Sequence, residues 1–227
     1  MSEVALAELQ AAILAGHFTP GEPLLLEPLA ASLDMSVSPV REALRRLEQL
    51  GFVEHTPRRG SRVSRLSAGE LADVFEVRLA LETIAVRRAA TWFDSDDEAR
   101  AAAALKRLAD AYDSEELLAV LGANKSFHLG LYQAGRSEYL LRQIGLTWDQ
   151  CDRYRAWIFR DDGMASVREL ERDGHEQILA ACLAHDPDRA ELALKAHLAV
   201  FARLVTDRLP TVEVSHDGEP VHPRVSA

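Results

Sequence analysis

Apolar residues recur at helical spacing from the start of the chain. Val4, Ala5, Leu6, Leu9, Ile13 and Leu14 form the first such stretch, and it ends at Gly16. Pro20-Gly21 marks a turn. Pro28 suits a first helical position and opens a short helix with Leu29, Ala30 and Leu33 as its apolar residues. Asp34 to Val37 breaks the pattern. Ser38-Pro39 restarts it as N-cap and first helical residue, with Val40, Ala43, Leu44, Leu47 and Leu50 on one face and Gly51 placed to close the helix. Beyond Gly51 the pattern becomes strand-like. Phe52-Val53-Glu54-His55 and Ser61-Arg62-Val63 flank the turn Thr56-Pro57-Arg58-Arg59-Gly60. Helix, helix, turn, helix, hairpin is the outline of a winged helix-turn-helix.

Everything after Leu66 reads as helix. Ser67-Ala68-Gly69-Glu70 is a capping box that launches a helix through Val74, Val77, Arg78, Leu81 and Ile84 to about Thr91. Asp94 or Ser95 caps an Ala-rich helix ending near Asp113, and Ser114 begins another that runs to about Ala134. Gly135-Arg136-Ser137 resets the chain for a long helix containing Trp148, Tyr154 and Trp157, which breaks at Asp161-Asp162-Gly163. Val167 to Leu183 is helical, and Asp186-Pro187 opens a last helix reaching about Leu209. The expected fold class is mainly α: an N-terminal winged helix-turn-helix over 1–66 and a C-terminal all-α six-helix bundle over 67–210. The stretch 211–227 lacks periodicity and is expected to be a disordered tail.

Composition narrows the function classes. Hydrophobic residues make up 48% of the chain and charged residues 27%, as in an ordinary globular protein. No apolar run approaches the roughly 20 residues a bilayer-spanning helix needs. The first residues lack the pattern of a secretory signal, and two cysteines give no disulfide framework, so a cytoplasmic location is expected.

The net charge of −10 argues against a nucleic-acid partner until its distribution is considered. Within 36–65 there are seven arginines (Arg41, Arg45, Arg46, Arg58, Arg59, Arg62, Arg65) against three glutamates. One basic segment thus lies in an otherwise acidic chain, and DNA contact is expected to be confined to it.

On the helix from Pro39 to Leu50, Arg41 and Arg45 are four apart and share the polar face with Ser38, Glu42 and Arg46. Such a helix fits the major groove, where Arg can pair bidentately with guanine, but the same spacing describes an ordinary solvated amphipathic helix. The adjoining basic turn tips the balance, because straddling a DNA backbone needs both. The run Leu29-Ala30-Ala31-Ser32-Leu33-Asp34-Met35-Ser36-Val37-Ser38-Pro39-Val40-Arg41-Glu42-Ala43-Leu44-Arg45-Arg46-Leu47-Glu48, followed by Gly51-Phe52-Val53 and Arg58-Arg59-Gly60, closely resembles the DNA-binding module of the GntR family. The resemblance implies DNA contacts from Ser36, Ser38, Arg41, Arg59 and Gly60, to which Arg45, Arg46 and Arg58 are added by their place on the basic face and wing. The family's base-reading Arg before the Ser/Thr-Pro pair is here Val37. Base specificity therefore departs from the common pattern or leans on Arg41 and Arg46.

Asn124 and His128 are four apart on one helix face, and His175 and His197 lie on the last two helices. Ligands from separate helices can converge on a metal in a bundle core, and three imidazoles suit Zn, Ni, Co or Fe. Eight histidines in the chain leave room for the plainer reading of scattered surface and core residues.

Resemblance favours the metal. Val77-Arg78-Leu79-Ala80-Leu81-Glu82, Asn124-Lys125-Ser126-Phe127-His128, Gly174-His175-Glu176-Gln177-Ile178 and Ala196-His197-Leu198 are similar to the FCD effector domain of the FadR-type branch, VanR-like subgroup. It implies a divalent metal, zinc or nickel, at Asn124, His128, His175 and His197, with Asn124 standing where many members have Asp. It also implies a small organic acid effector bound at that metal. Arg78 is a candidate carboxylate partner or an i,i+4 partner of Glu82, and Arg153 and Tyr154 are candidates to line the cavity.

The sequence thus predicts a homodimeric regulator, a repressor by resemblance, binding a double-stranded DNA operator under effector control. The alternatives are a metal-dependent hydrolase built on the three histidines and, for the Arg-rich helix, a protein-docking surface.

Overall fold

A computed structural model describes residues 1–56, 58 and 60–209, with the backbone alone at 161, 162, 164 and 166. The elements in chain order are α1 (Ser2–Leu14), β1 (Pro23–Leu24), α2 (Leu26–Ser32), α3 (Val37–Gln49), β2 (Val53–Thr56), β3 (Gly60–Val63), α4 (Ala68–Trp92), α5 (Ser95–Ser114), α6 (Leu117–Gln133), α7 (Glu138–Asp162), α8 (Met164–Leu183) and α9 (Pro187–Thr206). A winged helix-turn-helix followed by six helices is the predicted class. No described helix is long and apolar enough to cross a membrane. The expected tail and Arg59 lie outside the described residues.

α3 follows from its sequence. Val40, Ala43, Leu44 and Leu47 are buried at positions i, i+3, i+4 and i+7. Gly51, at φ +79°, ends the helix: its N–H bonds the Glu48 carbonyl at 3.0 Å and the Phe52 N–H bonds that of Leu47 at 2.8 Å. This is the Schellman pattern, and its apolar closing pair, Leu47 with Phe52, is fully buried.

The start of α3 corrects the sequence reading. Ser36, not Ser38, is the N-cap, and Pro39 is the third helical residue. Proline is tolerated throughout a first turn, because none of those N–H groups has an intrahelical partner. Pro28 likewise falls at the third position of α2. Ser114 closes α5 instead of opening α6; Glu115 is left-handed at φ 55° and α6 starts at Leu117.

The wing has three strands, in the order β1-β3-β2, all antiparallel. Val53 pairs with Val63 and Thr56 with Gly60, while Pro23 and Leu24 add the edge strand β1. Two residues carry no periodicity, which is why β1 has no trace in the hydrophobic pattern.

α4 is turned differently from the apolar pattern. Val77 and Ile84 are exposed, while Arg78 and Glu82 are wholly buried among Leu71, Val74, Ala85 and Ala89. A buried charged pair in place of leucines marks α4 as a wall of a polar interior.

Two apolar clusters build the core. One runs from Leu6, Leu9, Leu44 and Phe52 of the first 66 residues into Leu71, Tyr112, Tyr154, Phe159 and Phe201 of the bundle. The other surrounds Phe127, Leu131, Trp148, Ile178 and Leu198. The first cluster continues from the winged part into α4 and the bundle, so the two parts are packed against each other and not merely tethered.

Candidate metal centre and DNA-contact face

Ser36, Ser38, Arg41 and Arg45 line one concave surface beside the start of α1. Arg41 and Arg45 are exposed and make no ion pair among the described residues. Arg46 differs: it is half-buried and paired with Glu3 of α1. Arg58, at φ 66°, is exposed at the hairpin tip, with Gly60 following at φ 76°. Arg62 gives Nη1–H to the Gly21 carbonyl at 2.9 Å and so braces the wing. Among the described residues, Arg41, Arg45 and Arg58 of the basic segment make no ion pair.

Deep in the bundle, α6, α8 and α9 bring His128, His175 and His197 together. One ring nitrogen from each lies within 4.8 Å of the other two, and all three side chains are buried. His128 Nε2 and His175 Nε2 are 3.2 Å apart. Tyr132, one turn beyond His128, donates its hydroxyl proton to Glu82 Oε2 at 2.6 Å and accepts at 3.2 Å from His128 Nδ1. That direction puts the His128 proton on Nδ1 and leaves Nε2 as a lone-pair donor, the usual service of an outer partner to a ligating imidazole. Arg78 Nε completes the chain on Glu82 Oε1 at 2.6 Å.

Asn124 is one turn before His128, and neither its amide oxygen nor its nitrogen has a partner among the described residues. Buried amides without partners are costly, so a group that accepts or supplies a bond at Asn124 fits the site. His197 Nε2 is likewise unpartnered. Three imidazoles and a neutral oxygen donor are a fitting set for a borderline divalent ion. Gly174 is needed for this arrangement, because a Cβ there would overlap His197 Nδ1 and crowd the ring.

Burial holds the imidazoles neutral. His128 and His197 are pushed well below 6.5 by desolvation and then by neighbouring imidazoles, and His175 is lowered to about 4, chiefly by burial. The unfolded chain therefore takes up protons that the folded chain refuses. Without metal, the protein should lose stability as pH falls below 6.5 towards 4, by up to about 1.4 kcal/mol per pH unit for each imidazole. Urea midpoints measured in chelator across that window check this; a flat profile would contradict a neutral cluster.

Beyond Arg78 and Asn124, the sequence names none of the other polar groups around the imidazoles as site residues. Arg155 Nη1 holds Glu171 at 2.6 Å, leaving its Nε and Nη2 without partners. Arg78 Nη1 and Nη2, Trp148 Nε1 and Asp152 Oδ1 are also buried and unpartnered. Burial raises the Asp152 carboxyl to about 7. The i,i+4 step from His128 to Tyr132 was visible in the sequence, but nothing there tied Glu82 or Arg155 to the histidines.

Arg153 and Tyr154, expected to line the cavity, face another way. Arg153 Nη2 bonds Glu70 Oε1 at 2.7 Å; Tyr154 Oη bonds Glu70 Oε2 at 2.6 Å and accepts from the Ser67 N–H at 3.3 Å. The reason is helical geometry: at 100° per residue, 153 points to the opposite side of α7 from Trp148, Cys151 and Arg155, and 154 lies at the edge of their face, about 90° from its middle. Their partners lie where the winged domain joins the bundle. Ser67 consequently makes only half of the expected capping box, accepting from Glu70 N at 3.4 Å while the Glu70 carboxylate is used elsewhere.

A Tyr132→Phe substitution removes the hydroxyl between His128 and Glu82 and should weaken metal affinity by about 10–100-fold. Competition against a chromophoric chelator reads the change directly.

Comparison with known proteins bears on what this arrangement serves. The family model for bacterial regulatory proteins of the gntR family matches residues 1–63, and that for the FCD domain matches 73–200. The chain belongs to the GntR family. The regulator is 31% identical over 192 residues to the HTH-type transcriptional repressor GlaR of Escherichia coli (strain K12), covering 82% of this chain and 87% of that protein. It is 32% identical over 191 residues to the "Probable D-xylose utilization operon transcriptional repressor" of Paenarthrobacter nicotinovorans, covering 83% and 81%. Its fold matches that of E. coli McbR/YncC with a TM-score of 0.78 at 23% identity, covering 92% of this chain and 98% of the other. The regulator is a DNA-binding transcription factor and not an enzyme, and the hydrolase reading of the three histidines finds no support among these relatives.

Proposed function

We propose that the regulator is a cytoplasmic, homodimeric repressor whose operator affinity is set by a small organic acid bound beside a divalent metal. The observation that carries this reading is the buried three-imidazole cluster flanked by guanidinium groups with unused donors, Arg78 and Arg155. His128, His175 and His197, with Asn124 as a fourth donor, would hold zinc or nickel, both suited to imidazole nitrogen. When bound, such an ion supplies a positive anchor with positions open to a carboxylate. All four donors are neutral, and Glu82 and Glu171 are already paired with Arg78 and Arg155. Asp152 is a further buried acid there, and burial raises its carboxyl to about 7, so at least half of a divalent ion's charge is left for an entering anion, whose oxygens the guanidinium N–H groups can take bidentately.

α7 supports a route from effector to DNA. One face carries Trp148, Cys151 and Arg155 into the interior, and other faces carry Arg153 and Tyr154 to Glu70 and Arg160 to the C-terminus of α1. Arg160 Nη1 donates to the Leu14 carbonyl at 3.0 Å, and the absence of a side chain at Gly16 leaves room for it. A ligand that shifts α7 shifts both domains. The exposed apolar side chains of Val77 and Ile84 on α4, with Trp92 at its end, support a second copy covering that helix. Operator contacts are assigned to Ser36, Ser38, Arg41, Arg45, Arg58 and Gly60, with Arg59 from the sequence resemblance.

The test is operator binding by metal-loaded and chelated protein, with and without a panel of small carboxylic and hydroxy acids. An acid that changes operator affinity only in the metal-loaded form supports the reading; no acid doing so overturns it. In Arg160→Met, acid binding should persist while its effect on DNA affinity shrinks by about fivefold or more, as expected when coupling and not binding is lost. Equal coupling in wild type and variant would remove α7 from the route.

A further inference from the structure

Outside the histidine cluster, a cavity of about 120 Å³ opens between α5 and α8. Its α5 wall is apolar, made by Leu105, Leu108, Ala109 and Tyr112, and His175 of α8 also lines it. Arg168 and Arg172 of α8 stand on the opposite side. Arg168 is held by Asp113 at 2.6 Å, and its guanidinium lies 5.8 Å from the Tyr112 ring centre. Among the described residues Arg172 pairs only with its chain neighbour Asp173, at 3.6 Å and with poor reach, and its side chain is 63% exposed. The lining contains one acid, Glu176.

We propose that this cavity is a second ligand site, for a monocyclic aromatic monocarboxylate. Size admits a ring that is only partly enclosed: the space of about 120 Å³ is somewhat smaller than the dry cavity of about 150 Å³ that accepts benzene, but it opens outward. Chemistry argues for the ring: leucine side chains, Tyr112 and His175 offer an apolar and aromatic lining. The carboxylate goes outward to Arg172, whose guanidinium is the nearest cation without a strong partner. A second carboxylate is disfavoured, because the surface continuing past Tyr112, Arg168 and Arg172 carries Asp113, Glu115 and Glu169. The site is separate from the proposed metal centre but shares His175 with it, so an occupant touches one of the three imidazoles from outside.

Calorimetric titration with benzoate tests the site. Wild type should bind benzoate in metal-loaded and in chelated form, and should bind acetate and adipate more weakly. Ala109→Trp, at an exposed position on the cavity wall, should fill the space and weaken benzoate binding about tenfold or more. Arg172→Gln should weaken it to a similar degree, about tenfold, through loss of the charge-assisted pair. Unchanged metal stoichiometry and melting temperature in both variants establish that the fold is intact. Absence of benzoate binding by wild type up to about 10 mM overturns the site. So does equal binding by wild type and both variants. Binding that vanishes on chelation and in His128→Ala also overturns it, by assigning benzoate to the metal centre, and it leaves the sensor reading standing. Failure of every acid to act through the metal-loaded centre, with benzoate still bound at Arg172, sinks the sensor reading and leaves this one.

Discussion

Replacing Arg41 and Arg45 together by Ala should lower operator affinity by about two orders of magnitude and reduce the slope of log K against log salt by about 2. Both side chains project from the exposed face of α3, four residues apart, with no described ion pair to give up on binding DNA. Their loss removes two cationic contacts at no cost to the core, since Val40, Ala43, Leu44 and Leu47 keep the helix seated. The remainder of the chain is acidic, so little elsewhere can compensate. Arg46→Ala is the informative contrast. Arg46 is committed to Glu3, so its loss should affect the α1–α3 contact more than the salt slope. Fluorescence anisotropy on an operator fragment recovered by in vitro selection, measured at several salt concentrations, separates the two. If the double variant bound like wild type at moderate ionic strength, α3 would not be the reading helix.

His197→Ala should reduce metal affinity by about 100-fold or more, exceeding the loss from an outer partner such as Tyr132. It removes one of three convergent nitrogens and leaves a buried space where the ring stood. Gly174→Ala should reproduce much of the loss without touching a ligand, because its Cβ would press on the His197 ring from α8. Metal added to wild type should raise the melting temperature by ligand linkage, and neither variant should show the same rise at equal metal concentration. Chelator competition gives the affinities, and thermal unfolding with and without zinc gives the linkage. A variant lacking His197 that bound zinc as tightly as wild type would mean the imidazoles are not the site.

Both sets of side chains were legible before the fold, but to different depths. The α3 face could be read residue by residue, because its buried and exposed positions repeat within one helix and its Gly51 ending depends on local backbone conformation. The same locality explains the six helices of the bundle and the Asp94 and Asp186 caps, each of which bonds an N–H three residues on. Local rules also set the limit of accuracy at helix starts, where Ser36 and Ser38 are both acceptable caps and Pro39 is tolerated at either of two positions.

The centre is another matter. His128 and His175 are 47 residues apart, and only the packing of α6, α8 and α9 brings their nitrogens to 3.2 Å. Resemblance to a known domain pointed to them; periodicity did not. Tertiary structure alone decided that Arg78 and Glu82 lie inside while Val77 and Ile84 lie outside, because a buried ion pair reads in sequence like any solvated i,i+4 pair. It also turned Arg153 and Tyr154 to the domain junction and Arg155 to the interior. Local interactions propagate over one helical turn and are written in adjacent residues. Which helix face meets which neighbour depends on the whole bundle, and no short stretch of sequence carries that information.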